Sequence, residues 1–252
     1  MKADLIRVEA EIGGMRAGLA KAKAFAKEDP GNPLYDIVSA ELYEKAGRRD
    51  DAVDLLETAV AAHPSVDALI GALSGLYART GASAKAEAVL NTRLKVDPKD
   101  TAIRSRLAFL YLEQRKYDDA ITEYARVVAE GSSDPATLNN LAWLYQQKGD
   151  LAKAHRLAAQ AVAATPRAPL LEDTLGWILV AQGEADKALT YLSAANLSAP
   201  KNPDIQYHLA VALNRIGRTG DAQAMLETLL GSGATFSDRA EAEKLLQQLK
   251  HG

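Results

Sequence analysis

The feature that most constrains this chain is a 34-residue period, carried by four ladders of residues that share one phase. One ladder consists of Pro30, Pro64, Pro98, Pro166 and Pro200, with Ser132 in the remaining slot. A second consists of Gly13, Gly47, Gly81, Gly149, Gly183 and Gly217, with Arg115 in the remaining slot. The others are Gly18, Ala52, Ala86, Ala120, Ala154, Ala188 and Ala222, and Tyr43, Tyr77, Tyr111 and Tyr145 followed by Leu179 and Leu213. A fixed period of this length indicates an array of stacked repeats.

The residues within one period predict two amphipathic helices of about 13 residues joined by a short turn. Apolar residues recur at helical spacing on both sides of the glycine, as in Leu141, Leu144 and Tyr145, then Leu151, Ala154 and Leu157. The glycine falls where the first helix ends and the backbone needs a positive φ. Arg115 in that slot should cost on the order of 1 kcal/mol.

The turns carry the signals of helix ends. The proline ladder ends each second helix, and the small-residue ladder lets paired helices approach closely. Asn32-Pro33, Asp134-Pro135 and Asn202-Pro203 then read as an N-cap followed by proline at the first helical position.

With this pattern the chain resembles the tetratricopeptide repeat (TPR) family, whose unit is a 34-residue helix–turn–helix. The resemblance implies an all-α fold, a right-handed α-α superhelix (solenoid) of about seven repeats with a C-terminal capping helix. The predicted units are 1–32, 33–66, 67–100, 101–134, 135–168, 169–202 and 203–236. The remaining segment, 237–252, predicts the capping helix and tail, with Ser237 as its N-cap.

The composition limits the classes of function. A net charge of −3 and a pI near 5.9 give no basic footprint, so nucleic acid is not an expected partner. The absence of cysteine excludes disulfides and thiolate chemistry. No apolar run approaches the roughly 20 residues of a transmembrane helix, and the first residues, "MKADLIRVEAEIGG", lack the apolar core of a signal peptide. We therefore expect a cytoplasmic protein if Met1 is the native start, and a periplasmic or envelope protein if the chain is a fragment of a longer exported one.

The C-terminal half carries a closer resemblance. The segments "NNLAWLY", "DTLGWIL", "YHLAVAL" and "DRAEAEKLLQQL" resemble the C-terminal end of the TPR proteins of PEP-CTERM/exosortase systems in Gram-negative envelopes. Those proteins accompany exopolysaccharide production and protein sorting, so the resemblance implies an envelope scaffold. A cytoplasmic TPR adaptor or regulator with no polysaccharide link is the alternative.

Catalytic and metal-binding patterns are missing from the sequence. None of His63, His155, His208 and His251 has a second histidine at metal-ligand spacing on the same helix face. The chain has no phosphate-binding glycine loop and no nucleophile motif. We therefore predict no enzyme activity, no metal and no cofactor; His208 with Asp173, on adjacent first helices, is the one pair placed to form a hydrogen bond between repeats.

In TPR superhelices the first helices line a concave groove, and the inward positions of this chain change character along its length. The ladder containing the tryptophans reads Arg7, Glu41, Gly75, Phe109, Trp143, Trp177 and Val211. Its N-terminal half is charged or bare, whereas its C-terminal half is aromatic and lined by amides. We therefore predict a groove for a protein or peptide partner, with aromatic anchors and polar groups that set register. The predicted contact residues are Phe109, Asn139, Asn140, Trp143, Gln146, Asp173, Trp177, Tyr207 and His208.

Other interpretations of the tryptophans stay open at this point. Each indole could pack against the neighbouring first helix or beneath a folded-back terminal segment. The same surface could form a homo-oligomer contact, or stack against a sugar ring. A clamp for the carboxylates of a chaperone tail is not expected, because it needs several inward cations and Arg106 is the main one nearby.

Overall fold

The computed structural model describes residues 1–251, and every regular element in this range is an α-helix. The helices are α1 (Lys2–Gly13), α2 (Met15–Glu28), α3 (Pro33–Lys45), α4 (Arg49–Ala62), α5 (Asp67–Arg79), α6 (Ser83–Val96), α7 (Thr101–Glu113), α8 (Tyr117–Ala129), α9 (Pro135–Gln147), α10 (Leu151–Ala164), α11 (Pro169–Ala181), α12 (Ala185–Ser198), α13 (Pro203–Arg215), α14 (Thr219–Gly231) and α15 (Arg239–His251). The predicted all-α fold of repeated helix–turn–helix units is confirmed.

The chain divides into two compact units, Met1–Glu123 and Tyr124–Gly252, and each is described by itself. We call the odd-numbered helices first helices and the even-numbered ones second helices. In both units a first helix packs on its own second helix, and that second helix packs on the next first helix. This arrangement is the nearest-neighbour stacking that a repeat period requires. The boundaries of the seven predicted repeat units stay a prediction.

The helix ends follow the caps that the sequence predicts. The side chains of Asn32, Asp134 and Asn202 each accept a hydrogen bond from a backbone N–H in the first turn of the helix that follows. Arg115 has a φ of 58°, the left-handed conformation that glycine adopts in the other turns. Gly13 is an exception to the prediction: α1 continues through it, and the positive φ of 77° falls at Gly14. The predicted cap at Ser237 is also displaced, since α15 begins at Arg239, directly after Asp238.

The small-residue ladder lies where paired helices touch. The alanines of this ladder are fully buried: Ala52, Ala86, Ala120, Ala154, Ala188 and Ala222. A Cβ added to Gly18 would stand 2.6 Å from the Cβ of Ala10 and 2.8 Å from a methyl carbon of Leu42. Because real Cβ atoms do not approach so closely, the second helix depends on the missing side chain for its position.

The helices at the two ends of the chain present different outer surfaces. In α1, a stripe of apolar side chains is exposed: Met1, Leu5, Val8 and Ile12. Two periods later, the counterparts of the first three, Leu69, Leu73 and Leu76, are almost completely buried in the core that α4 and α5 share. In α15, by contrast, the exposed positions Ala240, Lys244 and Gln247 are mostly polar. The second unit therefore ends in a helix with a polar outer side, as a capping helix does.

Candidate partner-binding face

The first helices of the second unit each contribute one stripe to a common surface, which we call the first-helix face. Residues spaced by four and then three positions lie on one side of a helix. These stripes are Asn139, Trp143 and Gln146 on α9, Asp173, Trp177 and Val180 on α11, and Tyr207, Val211 and Asn214 on α13. Both tryptophans are half-buried, so each has one part in the protein and one part open to a partner.

Trp177 rests on a polar pair that joins α11 to α13. The His208 imidazole stacks on the Trp177 indole with ring centroids 4.1 Å apart and an angle of 13° between the planes. Nδ1 of the same imidazole lies 2.8 Å from Oδ1 of Asp173, and both residues are buried. A carboxylate only accepts hydrogen bonds, so Nδ1–H donates to it and thereby fixes the ring orientation. The predicted hydrogen bond between Asp173 and His208 is confirmed, and the inter-repeat packing considered for the tryptophans is observed for Trp177.

Tyr207 is covered rather than presented to solvent. Its ring lies 6.0 Å from Trp177 and 6.2 Å from Phe236, centroid to centroid. Side chains of α15 such as Leu245 pack against the same cluster. Burial, reinforced by the nearby charges of Asp238 and Glu241, raises the pKa of Tyr207 to about 12. Tyr207 and His208 therefore form the base beneath Trp177, although the sequence placed them among the groups that contact a partner.

On α9 the amide groups differ in their hydrogen bonding. The Nδ2 group of Asn140 donates to the Tyr124 hydroxyl at 3.0 Å, so this amide is directed toward α8. By contrast, Oδ1 of Asn139 and Oε1 of Gln146 are buried and accept no hydrogen bond from residues 1–251. These two oxygens flank Trp143 along the stripe. Each buried, unpaired acceptor costs about 1–3 kcal/mol, and rotation of either amide toward a donor on a partner would remove that cost.

The first helices of the first unit carry a different set of side chains. Phe109 belongs to this unit, and its ring is about half exposed. Arg7 pairs with Glu41 at 2.9 Å, and Arg79 pairs with Glu44 at 2.8 Å, each across one repeat. The Arg79 guanidinium holds the pKa of the Glu44 carboxyl below its usual range. The charged half of the predicted ladder is therefore neutralised by its own ion pairs.

Sequence analysis missed three acidic residues at the C-terminal edge of the first-helix face: Asp204, Asp238 and Glu241. Glu241 stands one period after Tyr207, and Leu245 one period after Val211. Continuing the Tyr207 ladder into the terminal helix would have found Glu241, and Asp238 stands one period after Asp204. The prediction stopped at the last complete repeat and treated α15 only as a cover.

The first-helix face carries side chains that are suited to binding. In the described part of the chain, residues 1–251, histidines and carboxylates form no cluster that could hold a metal ion. No helix there is long and apolar enough to cross a membrane. What the first-helix face provides is two half-buried indoles, side-chain amides and carboxylates, a set suited to peptide recognition.

Comparison with known proteins gives the same fold. The family model described as "Tetratricopeptide repeat" matches residues 43–108, 79–137, 111–178 and 179–249. A tetratricopeptide repeat protein from Parabacteroides merdae ATCC 43184 is 15% identical, with a TM-score of 0.62 over 99% of this chain and 98% of that one. The APC/C hetero-tetramer Cut9-Hcn1 gives 17% identity and a TM-score of 0.67 over 98% of this chain and 48% of that one. YrrB, described as "a TPR protein with an unusual peptide-binding site", is 16% identical, with a TM-score of 0.61 over 77% of this chain and 97% of that one. A search of curated protein sequences finds no significant match.

Proposed function

Because this chain belongs to the tetratricopeptide repeat family, we propose that it is a non-enzymatic scaffold that binds a protein or peptide partner on the first-helix face of its second unit. The observation that carries the proposal is the pair of half-buried tryptophans, Trp143 and Trp177, at the same register position of adjacent first helices. Large aromatic side chains that are partly open and firmly supported are the usual energetic centres of protein interfaces.

The support beneath Trp177 favours binding because the anchor is already oriented. An indole that stacks on the His208 ring and contacts Tyr207 loses little rotamer freedom when a partner covers it. Immobilising a mobile side chain at an interface costs about 0.5–1.5 kcal/mol. Trp177 is already immobilised in the folded protein, so binding does not add this loss of entropy.

The amides beside Trp143 suit an extended peptide. Each side-chain amide offers one acceptor and two donors, which matches the alternating N–H and C=O groups of a peptide backbone. The oxygens of Asn139 and Gln146 are buried without a hydrogen bond in residues 1–251, but both residues are partly exposed, so rotation of either amide would let it bond to a peptide. YrrB, a TPR protein with an unusual peptide-binding site, has a similar fold, which supports this mode of binding.

The absence of enzyme activity is part of the proposal. The one buried His–Asp pair, His208 with Asp173, has its imidazole stacked flat against Trp177. A general base needs an accessible ring nitrogen beside a substrate and a partner nucleophile. Here the pair orients a binding residue, and no cofactor is required.

The test is a pull-down from the native host with three forms of the chain: wild type, Trp143→Ala/Trp177→Ala and Leu197→Ala. Leu197 is an exposed apolar residue on α12, so its replacement is a matched control off the first-helix face. We expect the double variant to lose a partner that wild type and control both retain. If the double variant is folded, as judged by circular dichroism, and still retains every partner, the role of the two tryptophans as binding anchors is refuted. Loss of helicity would show that the tryptophans are structural.

For the biological setting we propose a scaffold in an envelope exopolysaccharide or protein-sorting system. The support is the resemblance of "NNLAWLY", "DTLGWIL" and "YHLAVAL" to repeats of such systems. The alternative is a cytoplasmic adaptor. Fractionation of the native host with an antibody to this chain separates the two, since recovery with cytoplasmic markers alone contradicts the envelope setting.

A further inference from the structure

The balance of charge on the first helices differs between the two units. In the first unit, arginine and glutamate side chains of successive first helices pair with each other, as at Arg7–Glu41 and Arg79–Glu44. On the first-helix face of the second unit, Asp204 and Asp238 have no ion-pair partner among the residues described, 1–251. The face therefore carries acidic groups that the protein itself leaves unneutralised.

These carboxylates lie at the end of the face where the aromatic residues gather. Phe236 and Leu245, which flank Asp238 and Glu241 in the chain, pack against the Tyr207 cluster, with the Phe236 ring 6.2 Å from that of Tyr207. The charges of the two carboxylates also raise the pKa of the Tyr207 hydroxyl. Tyr207 in turn contacts Trp177. Asp204 stands in the first turn of α13, three residues before Tyr207. The three carboxylates are therefore neighbours of the aromatic pair Trp177 and Tyr207.

Basic groups on this face are few and already engaged. Arg215, at the C-terminal end of α13, donates through Nη1 to the carbonyl oxygen of Val180 at 3.1 Å. Glu241 has only a long contact of 4.0 Å with Lys244 of its own helix. Both are exposed. A partner with acidic side chains would meet repulsion here, whereas a cationic one would be attracted.

We infer that the partner segment is basic: an extended peptide whose lysine or arginine side chain lies on the open part of the Trp177 ring and is neutralised by Asp204, Asp238 and Glu241. The inference rests on the proposed function and adds the chemistry of the partner. Its two components are a cation–π contact with indole, the best ring for this purpose, and charge complementarity at the rim. Each of the three carboxylates, which are partly or fully exposed, should contribute a factor of about two to five in affinity, and the contribution should fall with added salt.

Intrinsic fluorescence offers a direct measurement, because Trp143 and Trp177 are the only two tryptophans of the chain. The probes are hexalysine and hexaglutamate peptides, which do not fluoresce in the tryptophan range. We expect a saturable fluorescence change with hexalysine at low ionic strength, a weaker affinity at 0.5 M salt, and no change with hexaglutamate. Equal responses to both peptides, or none to hexalysine, would overturn the inference.

A pair of matched variants separates a specific site from general attraction. One variant removes the charges at the edge of the face: Asp204→Asn, Asp238→Asn and Glu241→Gln. The control removes three charges elsewhere on the second unit: Glu130→Gln, Asp186→Asn and Asp221→Asn. We expect the first variant to bind hexalysine at least about eight-fold more weakly, the product of the three smallest contributions, and the control to lose less than three-fold. Equal losses in the two variants would overturn the inference.

The same variants keep this inference separate from the proposed function. A native partner that depends on Trp143 and Trp177 but binds the charge-neutralised face unchanged overturns the basic chemistry and leaves the scaffold function standing. A partner that ignores both tryptophans overturns the proposed function itself.

Discussion

Replacing Gly176 by alanine tests the packing directly behind the first-helix face. Gly176 lies in α11, next to Trp177, and an added Cβ would stand 2.6 Å from Cγ and 2.8 Å from Cδ2 of Leu192. Leu192 is fully buried in α12, so it has no open space into which it can turn. Overpacking of this kind costs about 1–3 kcal/mol. Alanine gains about 1 kcal/mol over glycine in a helix, so the expected net effect is a loss of about 1 kcal/mol, within a range of 0–2 kcal/mol.

Gly220→Ala provides the matched control. Gly220 lies in α14, and no heavy atom stands within 4 Å of its added Cβ. The propensity gain should therefore appear alone, as a stabilisation of about 0.5–1 kcal/mol. The difference between the two variants isolates the cost of the clash.

The assay is urea unfolding followed by far-ultraviolet circular dichroism and by tryptophan fluorescence. Repeat arrays need not unfold in one step, so the midpoints of both probes are compared instead of one extrapolated free energy. We expect Gly176→Ala to lower the midpoint, most of all by fluorescence because Trp177 is adjacent, and Gly220→Ala to raise it. Equal increases in the two variants would refute the close approach of α11 and α12.

Three further predictions follow from single contacts. Arg115→Gly should raise the free energy of unfolding by roughly 1 kcal/mol in urea titrations, because Arg115 has a φ of 58° that glycine adopts without strain. Asp173→Ala should lower the free energy of unfolding by about 1–3 kcal/mol, since His208 loses its buried acceptor. The double variant Asp173→Ala/His208→Ala should lose less free energy of unfolding than the sum of the two single variants. The pKa of Tyr207 is raised from 10.0 to about 12, so the folded state retains a proton that the unfolded chain releases first. Its contribution to stability is complete below about pH 10 and is lost as pH rises toward 12, and Tyr207→Phe should flatten that part of a stability–pH profile.

The 34-residue pattern of cap and turn residues made most of the fold predictable, because helix caps and turns depend on residues that are close in sequence. Asn32, Asp134 and Asn202 cap helices as their position before a proline indicates. The same locality explains the misplacement at Gly13. Either of two adjacent glycines can adopt a positive φ, and α1 extends by one residue so that Gly14 adopts it.

The site was less predictable, since burial depends on which helices cover a residue. The approach of Asp173 to His208 was predictable, because the 34-residue period places Asp173 opposite Tyr207 and His208 is the next residue, 35 positions from Asp173. The cover that Phe236 and α15 place over Tyr207 lies beyond the last repeat and follows no periodic rule. For this reason the ladder identified Trp177 as prominent but could not show that its neighbours support it from below.

Because the outer surfaces of α1 and α15 differ, the two ends of the repeat array are not equally suited to the addition of further repeats. A helical pair fused ahead of Met1 would meet the exposed apolar stripe that includes Leu5 and Val8, whose counterparts two periods later, Leu73 and Leu76, are buried. A pair fused behind α15 would meet Lys244 and Gln247 instead and find little apolar surface to bury. The array is therefore better lengthened at its N-terminal side.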